Sequence, residues 1–180
     1  MPRNFARNCQ VYSVLSFLRY NPNIEAWSPK LRSKTEIRTG KKRNLVDPSL
    51  TVASLYASER DLLQDFNSFG LIFESLVIRD LRVYAEAIEG ELFYYRDKNG
   101  LECDAIIHLV NGKWGAIEVK LSDDLDTING AAKGLIKLRD TIDTTKMLAP
   151  SFLAVIFGIA KIAYRREDGV YVVPIGCLGP

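Results

Sequence analysis

Residues 91–121 read ELFYYRDKNGLECDAIIHLVNGKWGAIEVKL, and the two turns inside this stretch decide the fold. Residues 91–97 have the aromatic content of a strand. Lys98-Asn99-Gly100 follows, and Asn-Gly supplies the positive φ angles a tight hairpin needs. A second strand over 102–110, a second turn at Asn111-Gly112 and a third strand over 114–121 complete an antiparallel meander.

Upstream, Phe69, Ile72, Phe73, Leu76, Val77, Leu81 and Tyr84 recur three and four residues apart, which predicts a helix over 66–87. Downstream, Ala131, Leu135, Ile136 and Leu138 mark a second helix. The apolar run FLAVIF (152–157) reads as a strand, and Asp168-Gly169 turns the chain into a last strand over 170–175. Helix, meander, helix, strand and hairpin make an α/β protein, a mixed sheet with helices on its faces. A right-handed crossover would set the 114–121 and 152–157 strands parallel.

The part before residue 65 is different. Val11, Leu15 and Leu18 have helical spacing, and Asn21-Pro22-Asn23 ends that helix. A basic run follows: Lys30, Arg32, Lys34, Arg38, Lys41, Lys42 and Arg43 against the single acid Glu36. This run carries +6 in a chain of net charge +2, so the remainder is acidic. Residues 42–46 read as a returning strand, and Asp47-Pro48-Ser49 caps a helix over 50–56. The expected organisation is a small helical and basic module over 1–64, with a winged-helix-like module as one option, and a second domain over 65–180.

With 47% hydrophobic and 26% charged residues in 180, the chain has the balance of a globular protein. It is long enough to bury a core without a metal or disulfide. The three cysteines, Cys9, Cys103 and Cys177, share no metal-ligand spacing and read as reduced thiols. The longest apolar stretch, 152–160, is about half of a membrane span. The opening MPRNFARN has no apolar signal core, so a cytoplasmic protein is expected. Oligomeric state is not legible.

Four residues suggest chemistry: Glu74, Asp104, Glu118 and Lys120. Strict alternation places Glu102, Asp104, Ile106 and His108 on one face of the second strand, and Glu118 and Lys120 together on the third. The hairpin through Asn111-Gly112 brings Asp104 beside Glu118 and Lys120. Two carboxylates on adjacent strands suit Mg²⁺ or Mn²⁺, with Asp104 and Glu118 as ligands. A neighbouring lysine can orient a metal-activated water, and Glu74 can complete the set. Plainer readings stand beside this one: Glu118 and Lys120 as a surface ion pair, Glu74 as a partner of Arg79, and the neighbouring Glu102 as a partner of Arg96. His108 lies about 13 Å along the strand from Asp104, too far for a general base there. The basic run suits phosphate contacts with DNA, a solvated loop, or a docking face for another domain.

The constellation of Glu74, Asp104 and Glu118-Val119-Lys120 resembles the PD-(D/E)xK nuclease superfamily and its Holliday-junction-resolvase branch. The segments VDPSL (46–50), FGLIFESLVIRDL (69–81), YYRDKNGLECDAII (94–107) and AIEVKL (116–121) resemble, more narrowly, the uncharacterised C-terminal domain that follows the ATPase in bacterial and archaeal AAA-type ATPases. That likeness runs from about Val11 to the end and takes in WSPKLRSKTEIR (27–38). It implies a restriction-endonuclease-like sheet, a Mg²⁺-dependent DNA phosphodiesterase using Glu74, Asp104, Glu118 and Lys120, and an ATPase partner in the same chain or in trans. A non-catalytic DNA-binding or partner-sensing regulatory role is the alternative. Glu102-Cys103 stands where the nuclease pattern has Pro-Asp before its first acid. The only Gly-Lys pairs, Gly40-Lys41 and Gly112-Lys113, lack the spacing of a nucleotide-binding loop, so no ATP site is expected here.

Overall fold

The computed structural model describes residues 23–27, 40–158 and 162–179. Its backbone is one eight-stranded mixed sheet with helices on both faces. The helix expected over 11–18, the basic residues Lys30, Arg32, Lys34 and Arg38, and Cys9 lie outside the described residues.

The meander forms as its turns require. Strands β3 (Gly90–Arg96), β4 (Glu102–Leu109) and β5 (Trp114–Lys120) pair antiparallel in sequence. Gly112 adopts φ +84°, which a β-carbon would oppose. Helix α3 (Phe66–Ala87) begins where Asp65 accepts a hydrogen bond from the Ser68 N–H at 3.1 Å. It buries Phe73, Val77, Ile78, Leu81 and Ala85 on one face of the sheet. Two short helices, α1 (Pro48–Ser54) and α2 (Glu59–Gln64), precede it. Helix α4 (Leu125–Thr141), capped by Asp124, covers the other face with Ile128, Ala131, Ala132, Leu135 and Leu138. It leads to β6 (Phe152–Phe157), which is parallel to β5 as expected. Strands β7 (Tyr164–Arg165) and β8 (Tyr171–Pro174) finish the sheet, β8 parallel to β6 and β7 antiparallel to β8. None of the described helices is long and apolar enough to cross a membrane.

Two features depart from the sequence reading. The first is that the sheet extends into the N-terminal part. Strand β1 (Asn23–Ala26) pairs parallel with β3, and β2 (Lys42–Arg43) pairs antiparallel with β1. The sheet order is therefore β2-β1-β3-β4-β5-β6-β8-β7, and residues before 65 supply its first two strands.

The second is a bulge. Phe93 pairs with Ile106 and Tyr95 with Cys103, so Asp104 and Ala105 together oppose Tyr94. Alternation breaks there. Cys103 and Ile106 both face α4, while Ala105 and Ile107 face α3. The shared face expected for Asp104 and Ile106 is corrected accordingly: one extra residue flips the register of everything beyond it.

Leu135 is 1% exposed in the α4 core, whereas Leu125 on the same helix is 72% exposed. Leu135→Ala should cost about 2–5 kcal/mol, and Leu125→Ala should stay within about 0.5 kcal/mol of wild type, read by urea denaturation. Equal costs for the two would mean that α4 does not pack as described.

Candidate functional site

The strand pair β4–β5 opens at the bulge. Its ladder runs from His108–Trp114 to Ala105–Ile117, whereas β5 continues along β6 as far as Lys120–Phe157. Asp104 stands in the resulting fork. Its Oδ2 accepts a hydrogen bond from the Val119 N–H at 3.0 Å, so a side chain satisfies a backbone donor at the point where the strands part. Beside it, the Cys103 thiol donates to the Ile117 carbonyl at 3.2 Å.

From Asp104 a chain of ion pairs runs outward both ways. On one side Lys42 Nζ lies 3.1 Å from Asp104 Oδ1 and 2.8 Å from Glu74 Oε1. On the other, Lys120 Nζ lies 4.0 Å from Asp104 Oδ2 and 2.7 Å from Glu118 Oε1. The Asp104 and Glu118 side chains are only 14% and 17% exposed, so water screens these charges poorly. All four residues expected at the site, Glu74, Asp104, Glu118 and Lys120, are thus brought into one network. A fifth, Lys42, joins them.

Lys42 was expected among DNA-binding side chains, together with Lys30, Arg32, Lys34, Arg38, Lys41 and Arg43. Of the described members, Lys42 faces carboxylates, and Lys41 pairs with Glu25 at 2.7 Å. Further contacts position Lys42 besides its own. The Tyr94 hydroxyl donates to the Gly40 carbonyl, Leu45 N–H donates to Ser75 Oγ at 3.2 Å, and β2 pairs with β1. Ser75 directly follows Glu74 on α3, so the segment carrying Lys42 is tied down next to its partner.

The electrostatics follow from burial and proximity. Burial alone would lower the Lys42 ammonium pKa, but the carboxylates of Asp104 and Glu74 reverse this and hold it above its ordinary value. Lys120 is likewise raised: Glu118 and Asp104 outweigh its desolvation. Glu118 is pushed from 4.5 to about 7, first by desolvation and then by repulsion from Asp104, with Lys120 pulling the other way. The buried Cys103 thiol is driven well above its usual range by desolvation, Glu118 and Asp104. It therefore stays protonated and is a poor nucleophile.

The side chains do not fit a divalent ion as they stand. Among the described residues, no group of three or more His, Cys, Asp or Glu side chains is placed to hold a metal. The space between Glu74 and Asp104 is taken by the Lys42 ammonium. The other sequence expectations are met or displaced locally. Glu102 pairs with Arg96 at 2.7 Å, while Arg79 pairs with Asp80 rather than Glu74. His108 packs edge-on against Trp27, ring centroids 6.1 Å apart, in the wall of a cavity of about 720 Å³. None of the five network residues lines that cavity.

The architecture is that of a mixed α/β protein with an eight-stranded sheet and a charged fork between its central strands. Residues 69–178 match the family model described as a domain of unknown function (DUF4143), and the chain belongs to that family. No curated protein and no solved structure matches it. The matched stretch holds Glu74, Asp104, Glu118 and Lys120; Lys42 lies before it.

The Glu118 shift makes stability depend on pH. Between 4.5 and about 7 the folded state keeps a proton that the unfolded chain has released. Stability is therefore highest below that window, falls as pH rises through it, and carries the full cost above it. The Glu118 share amounts to at most about 3 kcal/mol. Urea unfolding at pH 5 and pH 8 should show wild type losing more stability than Glu118→Gln over that interval. Parallel pH profiles would refute it.

Proposed function

We propose that this chain is the C-terminal module of an AAA-type ATPase, built on a nuclease-like sheet, and that it serves there as a non-catalytic, partner-sensing regulatory domain. The observation that carries this reading is the occupation of the acidic site by the protein's own lysines. Lys42 bridges Glu74 and Asp104, and Lys120 holds Glu118. A metal-dependent nuclease needs carboxylate oxygens free for its ions and for water. Here the oxygens nearest that space are already engaged. Fold alone does not decide activity, and the site argues for structure over turnover. The ATPase context rests on the sequence resemblance of the segments around VDPSL, FGLIFESLVIRDL and AIEVKL. Lys41 and Lys42 are engaged with carboxylates, so neither favours nucleic acid as the partner.

A Mg²⁺-dependent DNA phosphodiesterase is the second reading. One observation favours it: Glu118, with its pKa near 7, sits beside Lys120 and feels the charge of Asp104. Such displaced titrations concentrate at working acid–base sites.

Thermal unfolding and DNA cleavage separate the two. A metal at a hundred times its dissociation constant would raise the midpoint by roughly 5–10 °C. The regulatory reading expects no rise for wild type in millimolar Mg²⁺ or Mn²⁺, and no metal-dependent cleavage of linear or branched DNA. A rise and cleavage that both vanish in Asp104→Ala would establish the phosphodiesterase instead.

A further inference from the structure

The lysine in the acidic pocket is an unusual occupant for its position in the chain. It comes from β2, a strand of two residues at the sheet's outer edge, joined to β1 by two paired positions. The carboxylates it neutralises sit on the long helix α3 and the inner strand β4. Glu74 Oε1 and Asp104 Oδ1 approach one point, the Lys42 Nζ, at 2.8 and 3.1 Å. Asp104 is held towards that point by the Val119 N–H on its other oxygen. Two converging carboxylates, one of them preoriented by a backbone donor, are the arrangement hard cations use. Lys120 is a different case. It belongs to the central strand β5, pairs chiefly with Glu118, and reaches Asp104 only at 4.0 Å.

We propose that Lys42 is a built-in counter-cation, standing where a divalent ion would otherwise bind, and that β2 is the strap that keeps it there. The strap is the shortest element of the site, two residues long. Among the described residues its contacts include the β1 pairing, the Lys41–Glu25 ion pair, the Tyr94–Gly40 hydrogen bond, the Leu45–Ser75 hydrogen bond and the Lys42 bridge itself. The Lys42 side chain is still 29% exposed, so water and ions reach it. Its source outside the family-matched stretch separates the cation from the carboxylates it covers. A partner that draws β2 away would uncover an acidic pair without unfolding the sheet. This inference rests on the regulatory reading above, and it adds what regulation acts on.

The test compares Mn²⁺ binding by wild type, Lys42→Met, Lys42→Arg and the double variant Lys42→Met/Asp104→Asn, by calorimetric titration and thermal midpoint. Lys42→Met should bind Mn²⁺ at least roughly tenfold more tightly than wild type. Lys42→Arg, which keeps the charge, and the double variant should not. If Lys42→Met is unfolded in chelator, folding becomes the readout: Mn²⁺ should restore its circular dichroism, and the double variant should fold without metal. A folded Lys42→Met that binds no better than a non-binding wild type overturns the counter-cation and leaves the regulatory reading standing. The same holds for an unfolded Lys42→Met that Mn²⁺ does not rescue. Wild type that already binds as tightly as Lys42→Met overturns both.

Discussion

The Asp104 carboxylate in the fork between β4 and β5 is the constraint on which the site depends. The bulge at Asp104-Ala105 turns that side chain out of the regular alternation, and the Val119 N–H holds it in the gap where the ladder ends. A buried carboxylate costs several kcal/mol unless it is paired and hydrogen-bonded. Lys42, Val119 and Lys120 together meet that demand. Lys42 meets Oδ1, while the Val119 N–H and the more distant Lys120 ammonium meet Oδ2, so both oxygens are served. The positions of Glu74 and Glu118 follow, since each is held by a lysine that Asp104 also attracts.

The network also joins parts of the chain that are far apart in sequence. Lys42 and Asp104 are separated by 62 positions, and β1 enters the sheet parallel to β3 across a long connection. Such contacts come at a high loop-closure cost and form late unless local structure has already brought their partners close. The meander, with its two short turns, provides that local framework. Helices α3 and α4 then bury its two faces, and the edge strands add to a sheet that already exists. The site is accordingly assembled from one half on the long elements α3, β4 and β5 and another on the two-residue strand β2.

Much of this was legible in the sequence. The 3–4 spacing from Phe69 to Tyr84 placed α3 over its observed residues, and Asn99-Gly100 and Asn111-Gly112 placed the meander. The FLAVIF run and the crossover placed β6 parallel to β5. Glu74, Asp104, Glu118 and Lys120 were recognised as a group because their elements were. What failed to show has physical reasons. The four-residue strand β1 is too short to display a period, and of the returning strand read over 42–46 only Lys42–Arg43 forms. The bulge is invisible to any argument from alternation, because it is the exception to alternation. Lys42 was hidden by its company: in a run of seven basic residues, nothing in the sequence marks it as turning inward. Only the pairing of β1 with β3, which brings β2 over α3, selects it.

The flanks of the sheet have a consequence for how the molecule behaves among its own kind. An open sheet exposes unpaired backbone donors and acceptors along both outer strands, and these can recruit strands from other chains. Among the described residues both flanks end in strands only two residues long, Lys42–Arg43 at one side and Tyr164–Arg165 at the other. Each carries cationic side chains and offers little length for a foreign strand to follow. Moving β2 would bring β1 to that flank, itself only four residues long and carrying the charged Glu25. The lysine strap thus lies over a border that remains a poor template for aggregation even when the strap is lifted.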